Sequence, residues 1–236
     1  MEQTHQNLKI NYSYIVENYN RICYNIKDAI AKYRNTGDEV EIMAVTKTVS
    51  PDAVNVAVGC GVTLLGENRV QEYLSKKDFY DKSAKVHFIG HLQTNKVKYI
   101  INDIKLFESV DSFKLASEIN RQSEKNGIIS DILIEVNIGE EDSKSGIKAD
   151  SLEELINQVS ELESIRIKGL MSIPPVDAEE GLYEKLQSIF IEYKGRSINN
   201  TDMKILSVGM SNDYQTAIKY GSNLIRIGSG LFGARK

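Results

Sequence analysis

The chain has little of what metal centres and disulfide frameworks are built from. Its 236 residues include only two cysteines, Cys23 and Cys60, and three histidines, His5, His87 and His91. None of these sits in a ligand-like cluster, so a metal site is not expected. No signal-peptide pattern opens the chain, because Met1 to Lys9 is polar and no apolar run follows it. A reducing cytoplasm without a disulfide is the expectation. No apolar run approaches the roughly 20 residues needed to cross a bilayer, so no membrane partner is expected. Positive charge is not in excess: the formal net charge is -4 and no strongly basic stretch occurs. A nucleic-acid footprint is therefore missing. Also absent is a Gly-x-x-x-x-Gly-Lys-Ser/Thr loop, which disfavours a nucleotide triphosphatase.

What is there reads as a globular α/β chain. Hydrophobic residues at 41% and charged residues at 26% argue against disorder and supply a sizeable core. From Leu8 to Tyr33, Ile10, Tyr14, Ile15, Tyr19, Ile22, Ile26 and Ile30 recur near the 3.6-residue period of a helix. Asn35-Thr36-Gly37-Asp38 then supplies a stop and a turn. Eight short runs rich in β-branched residues follow, separated by amphipathic stretches. They are Glu41 to Thr46, Thr63 to Leu65, Val86 to Ile89, Lys105 to Ser109, Asp131 to Val136, Ile165 to Leu170, Lys204 to Val208 and Leu224 to Ile227. That alternation predicts a parallel sheet with helical crossovers. Ser50-Pro51 reads as an N-cap with proline at the first helical position. Asp150 with Glu153 resembles a capping box, and Asn126-Gly127 closes a helix that begins near Ser112.

Eight strands also suit an open doubly wound sheet. A (β/α)₈ TIM-type barrel is favoured because the count is right and each strand ends in small or polar residues. Those endings include Lys47, Gly66-Glu67-Asn68, Gly90-His91, Gly209-Met210-Ser211 and Gly228-Ser229. In a barrel they all gather at the C-terminal face, where active sites are built. With no linker or low-complexity segment, one domain over 1–236 is expected, with a helix in 1–36 packing on a barrel of 40–236.

Lys47 ends the apolar run Ile42-Met43-Ala44-Val45-Thr46, which would place its amine at the barrel mouth. Burial there favours the neutral amine that attacks an aldehyde. A lysine that snorkels to solvent from a strand end would look the same. Gly228-Ser229-Gly230 follows the last strand, where barrels often cradle a phosphate, although Gly-Ser-Gly alone also describes an ordinary turn. Ser207-Val208-Gly209-Met210-Ser211 adds a second hydroxyl- and glycine-rich turn beside it.

Several stretches together resemble the pyridoxal phosphate homeostasis proteins (the YggS/PROSC family). They are Ala44-Val45-Thr46-Lys47, Gly66-Glu67-Asn68-Arg69-Val70-Gln71-Glu72, His87-Phe88-Ile89-Gly90 and Leu92-Gln93-Thr94-Asn95-Lys96. Ser143-Lys144-Ser145-Gly146, Gly169-Leu170-Met171, Ser207 to Asp213 and Arg226 to Arg235 complete the set, which covers almost the whole chain. The resemblance implies a barrel of PLP fold type III, similar to the N-terminal domain of alanine racemase, with pyridoxal 5′-phosphate (PLP) as cofactor. Lys47 matches the Schiff-base lysine and Arg226 the arginine facing the pyridine nitrogen. Gly228 and Ser229 match phosphate-cradle positions, with Ser207 and Ser211 in the other turn bordering the phosphate. Asn68 is expected near the cofactor ring or its hydroxyl. Two departures are visible: His91 stands where many members carry proline, and Ser229 where threonine is common. Serine preserves the hydroxyl; His91 reads as a solvent-facing loop residue.

The same resemblance bears on activity. An arginine against the pyridine nitrogen disfavours protonation there and weakens PLP as an electron sink. In alanine racemase the second base is a tyrosine from a separate C-terminal domain, and the sequence ends at Lys236 soon after its eighth strand. None of the 12 tyrosines falls at a strand terminus. A PLP carrier that releases its cargo to amines or PLP-requiring apoenzymes, with no catalytic residues, is the expectation. A racemase-like enzyme is the alternative, and a barrel for another phosphorylated metabolite is a third reading. Related B6 vitamers are candidate ligands. Lys144, in the loop after the fifth strand, could take a second PLP but reads first as a solvated loop lysine.

Overall fold

The β-branched runs become eight parallel strands in the computed structural model, which describes residues 11–35, 37–141 and 144–234. They are β1 (Glu41–Val45), β2 (Leu64–Glu67), β3 (Lys85–Phe88), β4 (Leu106–Val110), β5 (Ser130–Glu135), β6 (Ile165–Met171), β7 (Thr201–Ser207) and β8 (Leu224–Ile227). Each pairs with the next, and β8 pairs with β1 through Glu41 and Leu224, which closes the barrel. Helices α1 (Ser13–Tyr33), α2 (Pro51–Gly59), α3 (Val70–Lys76), α4 (Phe113–Lys125), α5 (Leu152–Ser160), α6 (Glu180–Lys194), α7 (Tyr214–Lys219) and α8 (Ser229–Phe232) surround it. A 3₁₀ helix, Thr94–Tyr99, replaces the α-helix between β3 and β4. Among the described residues no helix is long and apolar enough to cross a membrane.

Strands buried on both faces carry near-continuous apolar runs. The period of two sorts those residues between the layers. Ala44, Leu65, Phe88, Phe107, Ile132, Ile134, Ile225 and Ile227 point outward into the shared core with the helices. Met43, Val45, Leu64, Ile89 and Leu224 form one inner cluster, and Leu106, Leu133 and Met171 another, with Ile205 touching both. The interior is thus a packed core and not a pore. In β6 the register shifts beside Gly169. Its φ is +154°, and a Cβ there would lie 1.8 Å from the Ile205 carbonyl oxygen.

Helix ends follow local chemistry. Ser50 caps α2 by accepting from the Ala53 N–H, and Ser112 caps α4 by accepting from the Leu115 N–H. The capping box expected at Asp150 is not formed. Asp150 lies inside a 3₁₀ turn, Ala149–Ser151, and α5 starts only at Leu152 without a side-chain cap. The first helix also begins later than its apolar period suggests, because the Asn11 side chain accepts from the Ser13 N–H at 2.9 Å and favours a turn there. His5, Leu8, Ile10, Thr36, Ser143 and Arg235 lie outside the described residues.

Helix α1 lays Ile15, Ile22, Ile26 and Ala29 against the barrel. Its Asn18 side chain donates to the Leu231 carbonyl at 3.0 Å, and Asn25 donates to the Tyr214 hydroxyl at 2.8 Å. It therefore braces α7 and α8, the two elements that follow the glycine-rich turns.

Candidate functional site

The inward stripe of the strands leads directly to a cavity at their C-terminal ends. Lys47 continues the line of Met43 and Val45, Asn68 that of Leu64 and Gly66, and Arg226 that of Leu224. The cavity measures about 420 Å³, and its wall includes Lys47, Asn68, Arg226, Gly228, Ser229 and Ser211. The loop after β6 supplies an apolar lip from Ile173, Pro175 and Val176.

Lys47 is half-buried, and the backbone on both sides of it is strapped down from α3. Glu72 accepts from the Thr48 N–H at 2.5 Å, Lys76 donates to the Thr46 carbonyl at 3.2 Å, and Lys76 and Glu72 pair with each other. Burial alone would raise the Glu72 pKa, but Lys76 and the Thr48 N–H outweigh it and hold the carboxyl below its ordinary range. Asn68 is set by a close approach, since a Cβ on Gly90 would lie 2.3 Å from the Asn68 carbonyl oxygen. Asn68 Oδ1 is buried with no hydrogen-bond partner among the described residues. A buried acceptor left open in this way asks for a donor.

On the β7–β8 side of the mouth the Ser211 hydroxyl accepts from the Gly230 N–H at 2.9 Å, which ties the turn after β7 to the turn after β8. Asp213 braces the first of these turns, accepting from the Met210 N–H at 2.5 Å and from the Tyr183 hydroxyl at 2.6 Å. Ser229 is exposed at the start of α8.

The two serines of the turn after β7 part company. Ser211 lines the cavity, whereas Ser207 is fully buried and is not among the lining residues. As the last residue of β7 it faces into the barrel, where it touches Arg226 and Glu108 instead. Arg226 is buried on β8 and donates to the carbonyls of Ser207 and Ser172, each at 2.8 Å. Burial pushes its pKa down, and the carboxylates of Glu108, Glu135 and Asp213 oppose that shift. Burial, with Asp111 adding to it and Arg226 opposing, pushes Glu135 up to about 7.

Lys144 and His91 stay outside this assembly. Lys144 is ion-paired with Glu141 and does not line the cavity. His91 is exposed and stands 4.0 Å from Asp111. Glu72, Glu108, His87, Asp213 and Tyr183 were not singled out from the sequence as site residues. A carboxylate inside the apolar run Leu106-Phe107-Glu108 was the available signal for one of them. Tyr183 had none, because it reaches the cavity from α6 and not from a strand end.

The family model described as alanine racemase, N-terminal domain, matches residues 18–236. The pyridoxal phosphate homeostasis protein of Aquifex aeolicus is 38% identical over 225 residues, 93% of this chain and 98% of that one. The chain belongs to the pyridoxal phosphate homeostasis protein family. The Escherichia coli K12 member is 32% identical over 226 residues, covering 94% of this chain and 97% of its own. PipY of Synechococcus elongatus, solved with PLP bound, superimposes with a TM-score of 0.79 at 26% identity, over 93% of this chain and all of PipY. An alanine racemase of Clostridium difficile, at 16% identity and a TM-score of 0.71, is similar in fold alone; this chain covers 57% of it.

Proposed function

We propose that this family member binds pyridoxal 5′-phosphate and serves its homeostasis in the cytoplasm as a carrier. Residues 1–236 would then work as one PLP-binding domain, the helix of 1–36 packed on the barrel of 40–236. The observation that carries this reading is the convergence of Lys47, Asn68, Ser211, Arg226, Gly228 and Ser229, from four separate strand ends, on one cavity. The PLP-bound PipY structure supports the same ligand here.

The residues fit the group. Asn68 Oδ1, buried and open, can accept from the ring hydroxyl. Arg226 can only donate, so it meets a pyridine nitrogen as a donor and disfavours a proton on it. The Ser211 and Ser229 hydroxyls, beside the backbone of Gly228, suit the phosphate. PLP supplies an aldehyde that condenses with an amine, with loss of water, and passes from one amine to another by exchange. Lys47 is the resident amine on this reading, and Glu72 and Lys76 hold its turn in place. Ser207 serves Arg226 and not the phosphate. Amines and PLP-requiring apoenzymes are the partners that take the cargo, and related B6 vitamers are further ligands of the same site.

A racemase-like enzyme is the alternative, and Tyr183 bears on it. It lines the cavity, as a second base would have to. Yet it donates to Asp213, and burial pushes its pKa well above the ordinary phenol range, so it is poorly placed to take a proton. The carrier reading is therefore favoured. Absorbance spectra of wild type and Lys47→Ala with added PLP test it. A long-wavelength band in the wild type alone, which leaves the protein with the small-molecule fraction on desalting after a free amine is added and without racemisation of that amine, is the expected result. Identical spectra would overturn the Lys47 assignment, and racemisation at enzymatic rates would favour the alternative.

A further inference from the structure

A chain of four buried polar side chains, one each from β3, β4, β7 and β8, crosses the barrel interior beneath the cavity. His87 Nδ1 lies 2.7 Å from Glu108 Oε1, and the Ser207 hydroxyl lies 2.7 Å from Glu108 Oε2. Arg226 Nη1 in turn donates to the Ser207 hydroxyl at 2.7 Å. Glu108 and Ser207 are both 0% exposed, and neither lines the cavity. The single proton of Ser207 settles the direction of the chain. An arginine cannot accept, so that proton goes to Glu108 and a lone pair is left facing Arg226.

We propose that Glu108 is a positioning residue for the cofactor ring. Acting through Ser207, it aims the Arg226 guanidinium and balances its charge at the pyridine nitrogen. The inference rests on the PLP reading above. A buried guanidinium without a counter-charge is costly, and Glu108 supplies that charge one hydroxyl away. Glu135 on β5 and Asp213 ahead of α7 are the other carboxylates that act on Arg226, Lys47 shares its cavity, and His87 on β3 is the titratable group that faces Glu108. Glu108 differs from them in being joined to Arg226 by a hydrogen-bonded bridge that fixes geometry as well as potential.

Glu108→Gln keeps the shape and removes the charge. The less balanced Arg226 then disfavours a further proton on the bound cofactor. Its absorbance titration should move to lower pH, by on the order of one unit. Absorbance against pH for PLP bound to wild type, Glu108→Gln, Ser207→Ala and the double variant is the test. The expected result is a downward shift in Glu108→Gln and a smaller one of the same sign in Ser207→Ala. The double variant should move no further than Glu108→Gln alone, because the two act through one bridge. A purely structural role would lower affinity or melting temperature and leave the titration where it was. Unshifted titrations in the single variants overturn the proposal. If Glu108→Gln does not fold, an unshifted Ser207→Ala does so by itself. A wild type with no PLP band at all would sink the binding reading instead, which separates the two failures.

Discussion

Glu135 shows what a single buried carboxyl contributes at the residue scale. Its pKa is raised from 4.5 to about 7 by burial, so the folded state holds the proton more tightly than the unfolded chain. The stability linked to it is fully present below the unfolded value and is lost as pH rises through the folded one. Relative to Glu135→Gln, the wild type should lose on the order of 3 kcal/mol between about pH 4 and pH 8. Urea unfolding of the cofactor-free proteins across that range checks it, and a pH-independent difference would contradict the assignment. Lys144→Ala should leave PLP stoichiometry and affinity unchanged, since Lys144 is paired with Glu141 away from the cavity; a binding titration that lost one equivalent would reverse this. The place of Lys47 and Arg226 at the cavity was legible in the sequence, Lys47 from its strand end and Arg226 from the family motif. Ser207 was not, because a hydroxyl in a glycine-rich turn looks the same whether it meets a phosphate or a buried arginine. Only the pairing of Ser207 with Glu108, 99 positions away, tells the two apart.

The runs from β1 to β8 were readable because β-branched residues cluster where a strand is buried on both faces. Their exact ends were not. Strand β2 extends through Gly66 to Glu67 because both residues stay in the ladder with β3, and the Glu67 carboxyl accepts from Thr46 at 2.6 Å and Tyr80 at 2.5 Å, both long-range bonds. The shift inside β6 was equally hidden, although Gly169 marks it. Gly169→Ala should destabilise the protein by about 3 kcal/mol or more, because its Cβ would collide with backbone that cannot rotate away. Denaturant unfolding measures this, and a loss below about 1 kcal/mol would show that β6 and β7 can separate there. Helix α1 makes a milder prediction. Asn18→Ala removes the bond to the Leu231 carbonyl, worth about 1 kcal/mol, and loosens α8 beside Ser229. The unfolding midpoint should fall slightly and PLP affinity by up to about fivefold; unchanged affinity would confine α1 to covering the barrel.

For the whole molecule, closure of the sheet turns a row of strand ends into a ring. In an open sheet the ends of β1 and β8 would stand at opposite edges. Pairing Ala44 with Ile227 brings Lys47 and Arg226 to the same cavity. The barrel was inferable from strand count and strand endings together. The interior polar chain from His87 to Arg226 was not, because it joins residues from β3, β4, β7 and β8 that only closure brings into reach. The central claim is that Lys47, and no other amine, carries PLP. Borohydride reduction of the PLP-loaded wild type, followed by peptide mass mapping, tests it most directly. One modified lysine per chain is expected, within the peptide that contains Lys47. Modification at Lys144 or scattered over surface lysines, with Lys47 unmodified, would contradict it.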